Sequence, residues 1–194
     1  MKKFELTSEF ITNIFGTKLF RIKALIEFGN VKAGELGGFV EKEENLSQDG
    51  NAWVYDNARV YGDACVCGDA CVCGNARVCG DARVHGNARV YDNARVHGNA
   101  WVYGNACVYG DARVCGDACV YGDAGYATVH GFGSEYRTTT FFKTKAGVGV
   151  KCGCFYGNLS EFRKKVVETH GETKKAKEYL MLADLMEFRF SDNS

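Results

Sequence analysis

The chain has 194 residues, 46% of them hydrophobic, which is enough for one large or two small domains and too apolar for a disordered polymer. Lysine plus arginine equals aspartate plus glutamate at 24 each, so the overall basic bias of a dedicated, sequence-specific nucleic-acid binder is absent. Met1-Lys2-Lys3-Phe4-Glu5 opens no apolar export core, and no later run approaches the ~18 apolar residues of a membrane span; the expectation is a soluble cytoplasmic protein whose 10 cysteines stay reduced.

Residues 1–30 alternate as strands, first Lys3 to Thr7, then Ile11 to Phe15, and, after a turn at Gly16-Thr17, Leu19 to Leu25. They read as a β cap over residues 1–37, because an open sheet end needs cover. Between Val31 and Ser47 the chain carries two degenerate repeat units, with Val40 and Leu46 in the register of the alanines that follow.

From Gly50 to about Ala127 the sequence repeats with a period of six and no insertion, thirteen units in all. Each unit runs Gly or Asp, Asn or Asp, Ala, a variable residue, Val, a variable residue. Alanine and valine two apart share one side of an extended segment and form an inner lining, while the variable residues face outward and the first pair makes the bend. Strands this short are stable only when stacked on their own copies.

Units such as Val60-Tyr61-Gly62-Asp63-Ala64 and Val102-Tyr103-Gly104-Asn105-Ala106 resemble the hexapeptide-repeat superfamily. That resemblance implies a mainly β fold, a left-handed triangular β-helix of about 4–5 coils over residues 38–127, with three hexads to a coil. It also implies a homo-oligomer, with a trimer favoured. The run from Val31 to Val54, and in outline residues 133–171, are similar to uncharacterised hexapeptide-repeat proteins often carried by phages and prophages.

With three hexads to a coil, residues eighteen apart stack. One outer face then carries Trp53, Cys71, Arg89 and Cys107 beside Tyr55, Cys73, Tyr91 and Tyr109; a second carries Cys65, Arg83, Trp101 and Cys119 beside Cys67, His85, Tyr103 and Tyr121. Their apolar character suggests burial against further copies of the chain. The third face stacks Arg59, Arg77, Arg95 and Arg113 beside Tyr61, Cys79, His97 and Cys115. Three readings stay open for it: a solvated arginine face, a partner site for a phosphate-bearing ligand or acidic protein, or pairing with the corner acids Asp63, Asp81 and Asp117 of another subunit.

After the repeats, residues 128–194 read as a ββαα unit. Tyr136 to Lys143 and Val148 to Phe155 form a hairpin across Lys145-Ala146-Gly147. Asn158 with Glu161 makes a capping box for a helix through Val167 that stops near Gly171, and a second helix runs from about Thr173 to Phe188. This unit holds the candidate ligand site: Arg137, Thr138, Thr139, Thr140, Lys143, Lys151, Tyr156, Asn158 and His170, which offer charge, hydroxyls and a helix N-terminus to a small anionic, nucleotide-like ligand.

Function follows from these surfaces. The leading expectation is a non-catalytic binding or scaffold protein, phage-associated, that sequesters a host factor or a small anionic signal as an anti-defence protein. A structural assembly module and an acyltransferase-like enzyme are the alternatives. The unbroken repeats leave no cleft-forming loop, and His85 and His97 lack an evident orienting acid, which weighs against catalysis. No cofactor or metal is expected, since cysteines two apart on a strand do not converge on one ion.

Overall fold

A computed structural model describes residues 2–133, 135 and 138–191. Strands β1 (Phe4–Thr12) and β2 (Lys18–Ala24) form an antiparallel hairpin; β3 (Leu36–Val40) pairs with β2 on one edge and, in parallel, with the first regular coil on the other. The two runs expected before the first turn are one strand, irregular between Leu6 and Phe10. Its turn is set by Asn13, whose Oδ1 accepts from the amides of Phe15 and Thr17, leaving Ile14 and Phe15 in solvent.

Twelve short strands, β4 to β15, follow from Trp53–Val54 to Cys119–Tyr121, one to a hexad. They stack as three parallel sheets, and the columns fall as the eighteen-residue spacing requires: Arg59 on Arg77 on Arg95 on Arg113, Trp53 on Cys71 on Arg89 on Cys107, Cys65 on Arg83 on Trp101 on Cys119. With β3 as the first layer of the arginine sheet, the molecule is a β-solenoid of about five turns. Its lumen is the inner lining: every repeat alanine from Ala52 to Ala118 and every repeat valine from Val54 to Val120 is at most 1% exposed.

At each corner the first residue of the hexad takes a left-handed backbone. Gly98, at φ 71°, leaves no room for a side chain, since a Cβ there would lie 2.9 Å from the amide nitrogen of Gly116 one coil on. Asp56 and Asp92 occupy the same corner position at φ 52° and 59°, and each carboxylate accepts from the amide one coil later, Gly74 and Gly110 respectively. The second corner residues form side-chain ladders, as in Asn87 to Asn105 and Asn99 to Asp117.

Two details of the register differ from expectation. Val40 and Leu46 pair with Val60 and Val66, so they sit in the valine register and not the alanine one. The first coil is two residues longer than the rest, the excess falling in the corner after Leu46. In the alanine register stands Gly38, because a Cβ there would lie 2.6 Å from the Ala58 carbonyl oxygen. The thirteenth unit also leaves the solenoid: Ala124 is exposed, and Tyr126, in the valine position, is too large for the lumen. Tyr126 begins strand β16 (Tyr126–Val129) and, with Phe142, closes the lumen's end.

Parallel stacking leaves unpaired carbonyls at the first coil and unpaired amides at the last, and the two caps answer each with the opposite chemistry. At the first coil donors are supplied: Lys3 Nζ to Ala52 O at 3.0 Å, and Asn45 Nδ2 to Ala64 O at 2.8 Å. At the last, hydroxyls accept: Thr140 Oγ1 from the Arg113 amide at 3.1 Å, and the Tyr126 hydroxyl from the Tyr109 amide at 3.3 Å. The Tyr156 hydroxyl accepts from the Asp117 amide in the same way. Phe4 and Phe28 pack edge-on against Trp53, which was expected on an outer face and is buried completely beneath the N-terminal cap.

The C-terminal unit has more strands than the expected hairpin. β16 joins β17 (Thr139–Thr144), β18 (Gly147–Cys152) and β19 (Phe155–Asn158) in an antiparallel sheet of that order. β19 is short and half polar, so its strand pattern is weak until it pairs with β18. Helices α1 (Leu159–His170) and α2 (Lys174–Phe190) cover this sheet through a second core of Phe141, Val150, Phe162, Val166, Tyr179 and Met186. The Asn158–Glu161 capping box starts α1 as expected, and Gly171 at φ 57° ends it.

Candidate functional site

The Lys145-Ala146 turn, β19 and the first turn of α1 stand over the upper coils of the face that carries Trp101. Between them lies a cleft of about 890 Å³. Its solenoid wall consists of His85, Trp101, Tyr103 and Cys119, with Asn99 and Asp117 from the corner; the opposite wall consists of Lys145, Val148, Tyr156, Gly157, Asn158 and Glu161. Ala118 bridges to Thr144 where the two walls meet.

Repetition builds the aromatic wall. His85, Tyr103 and Tyr121 occupy one column, and the His85 ring lies flat on Tyr103 with centroids 5.2 Å apart and planes 9° from parallel. Trp101 meets His85 edge-on at 6.1 Å and carries the Arg83 guanidinium over its face at 5.3 Å. Tyr103 Oη lies 3.4 Å from Cys119 Sγ, and that contact, followed by burial, raises the Tyr103 pKa. Because His85 and Tyr103 stack on each other along the solenoid axis and Arg83 covers the Trp101 face, the wall is a continuous apolar surface made largely of ring edges, which favour contact with the face of a planar ligand.

Polar groups ring this surface. Asn99 Nδ2 donates to Asp117 Oδ1 at 3.1 Å, and Asn158 and Glu161 satisfy each other's backbone amides, leaving the Glu161 carboxylate beside the helix N-terminus. The ionic lining is Asp117 and Glu161 against Lys145, so this cleft is not cationic. Burial raises the Tyr156 pKa, and its ring stacks on Phe142 at 6.4 Å.

The residues nominated from the sequence are not gathered in one place. Tyr156 and Asn158 line the cleft. Thr139 and Thr140 are buried, Thr139 donating to Cys152 Sγ at 3.2 Å and Thr140 capping the solenoid edge. Thr138 lies on the other side of the sheet, at the top of the arginine face. Lys143 is half-buried in β17; Lys151, in β18, is close enough to His97 and Cys115 to influence both. His170 stacks on Tyr179 at 5.8 Å within the helical layer, and Arg137 lies outside the described residues. Trp101, Tyr103 and His85 were visible as adjacent columns of one apolar face, but nothing in the sequence showed that Lys145 and Glu161 would stand over them.

The fold and this site together define a hexapeptide-repeat β-solenoid carrying a small α+β unit over its last coils. Four stretches, residues 52–68, 70–86, 88–104 and 100–116, match the family model described as YdcK Beta solenoid repeat. Over 63 residues the chain is 40% identical to a protein of Escherichia coli (strain K12) named as an uncharacterized acetyltransferase, YdcK. That alignment takes in 29% of this chain and 19% of the relative, so the chain spans about a fifth of the protein it matches. Among the described residues, no helix is long and apolar enough to cross a membrane.

Proposed function

We propose that this protein binds a small planar ligand, a nucleobase or similar heteroaromatic group, in the cleft over Trp101 and Tyr103. The observation that carries this is the in-register aromatic wall facing a polar rim across a cavity of about 890 Å³, a volume suited to a nucleoside-sized molecule. Asn99, Asn158 and Lys145 supply donors, and Asp117 and Glu161 acceptors, for the edge of such a ring. Holding without conversion is the favoured mode, because the His85 ring is stacked on Tyr103 and, among the described residues, no carboxylate hydrogen-bonds to it. Sequestration of a nucleotide-like signal or host factor, as an anti-defence protein does, is the finer form of this reading; its support is the resemblance to phage-carried proteins together with the size of the cleft.

Acetyl transfer is the second reading, favoured by the name of the Escherichia coli relative and by the presence of His85 in the cleft wall. Calorimetry of the whole chain with a nucleoside and nucleotide panel, followed by mass spectrometry of the recovered ligand, separates the two. Binding that Trp101→Ala abolishes, with the ligand recovered unchanged, is the expected result. An acetylated product formed from acetyl-coenzyme A and lost in His85→Ala replaces binding with enzymology, and the absence of any binding removes the cleft from consideration. Self-association is proposed through the other apolar face, where Tyr109 is exposed. Sedimentation of the protein beside Tyr109→Asp tests it, and a monomer in both rejects it.

A further inference from the structure

The arginine face is the chemical opposite of the aromatic cleft. Arg59, Arg77, Arg95 and Arg113 pair directly across adjacent parallel strands, so their backbones repeat at about 4.8 Å along the solenoid axis and their side chains leave from one column. Like charges directly opposed across strands repel. None of the ion pairs or side-chain hydrogen bonds among the described residues involves these four guanidiniums. The arginines of the other two faces are arranged differently: Arg83 lies over Trp101, and Arg89 is separated from any like neighbour by Cys71 and Cys107.

Arg77, Arg95 and Arg113 line a groove of about 340 Å³, with Asn75, Asn93 and Asp111 along the corner and Thr138 and Gly153 at its upper end. Three guanidiniums and one carboxylate leave it doubly cationic. Its small volume suits a compact anion better than a protein surface or an extended polymer. Neighbouring guanidiniums present planar pairs of N–H donors that match phosphoryl oxygens, and a chain of adjacent phosphoryl groups would let successive groups engage successive rungs.

We infer that the Arg77–Arg95–Arg113 groove binds an anion with two or more adjacent phosphoryl groups, either free or borne by a nucleotide. The site is separate from the aromatic cleft and stands whether or not that cleft binds anything.

Calorimetry of the full chain with orthophosphate, pyrophosphate, inorganic triphosphate and adenosine triphosphate, at low and at high salt, tests the inference. Expected are binding of pyrophosphate and triphosphate that strengthens with chain length and weakens with salt, and a loss of about tenfold or more in Arg95→Gln. Arg83→Gln, on the face that carries Trp101, should leave the affinities for pyrophosphate and inorganic triphosphate unchanged. Equal affinity for the nucleotide and for free triphosphate indicates recognition of the phosphate chain alone, and tighter nucleotide binding that Arg95→Gln weakens indicates a further contact beside the groove. Binding of the nucleotide without triphosphate, orthophosphate binding as tight as triphosphate, or affinities indifferent to Arg95→Gln would each overturn it. Because the substitution relieves repulsion on an exposed strand, its melting temperature should equal or exceed that of the parent, so lost binding cannot be assigned to lost fold.

Discussion

Single residues bear most of the strain at the corners. Asp92 stands where every other hexad but that of Asp56 has glycine, in a left-handed conformation that costs an ordinary residue about 1–2 kcal/mol, and its carboxylate offsets this by accepting from the Gly110 amide. Asp92→Ala keeps the strain and loses the bond, so urea denaturation should show a loss of about 1–3 kcal/mol. Asp92→Gly loses the bond and relieves the strain, and should come within about 1 kcal/mol of the parent. His97 makes a second residue-level case. Burial, reinforced by Lys151, Arg113 and Arg95, holds its pKa below the ordinary 6.5, so below that value the unfolded chain takes up a proton that the folded chain resists. Stability therefore declines as pH falls through about 6.5, and His97→Gln should flatten that part of the denaturation profile.

Elements are held mainly at their ends. The hydroxyl of Thr140 satisfies an amide of the last coil, and Thr140→Val, nearly equal in volume, should cost about 1–3 kcal/mol by leaving that donor unpaired. Asn158→Ala removes a helix cap in which both members of the box are engaged, at about 1 kcal/mol, and should raise amide exchange in the first turn of α1 while the solenoid's protection is unchanged. The capping box was legible because Asn158 and Glu161 lie three apart in the chain. The role of Thr140 was not, since its partner Arg113 is 27 residues away and strand propensity explains a run of threonines equally well.

At the scale of the whole molecule, thiols buried along the solenoid make stability sensitive to alkali. Burial pushes Cys71 up to about 12 and Cys115 up to about 11, against 9.0 in an unfolded chain. The folded state thus keeps protons that the unfolded state gives up; this stabilisation is complete below pH 9 and is lost as pH rises toward the folded values. Lys3 acts in the opposite direction, since burial lowers it to about 8 from 10.5, but it is one group against several buried thiols and tyrosines. A melting temperature that holds level up to about pH 8.5 and falls above pH 9, with a shallower fall in Cys71→Ala, is the expected profile. A fall equally steep in that variant would show that other groups control it.

What the sequence by itself determined is the part of the molecule in which every neighbour is set by counting. The six-residue period placed alanine and valine in the lumen and glycine at the corners, and stacking at eighteen then assembled the arginine ladder and the Trp101–Tyr103–His85 wall. Only the tertiary structure decided where counting fails. Two extra residues in the first coil moved Val40 and Leu46 into the valine register, and Tyr126 turned the chain out of the lumen because its ring does not fit there. Most consequentially, the C-terminal sheet settled over one face and made a cleft of it, bringing Glu161 and Lys145 to Trp101 across more than forty residues of chain. Such long-range placement depends on how two separately packed cores meet, and no local pattern of residues specifies that meeting.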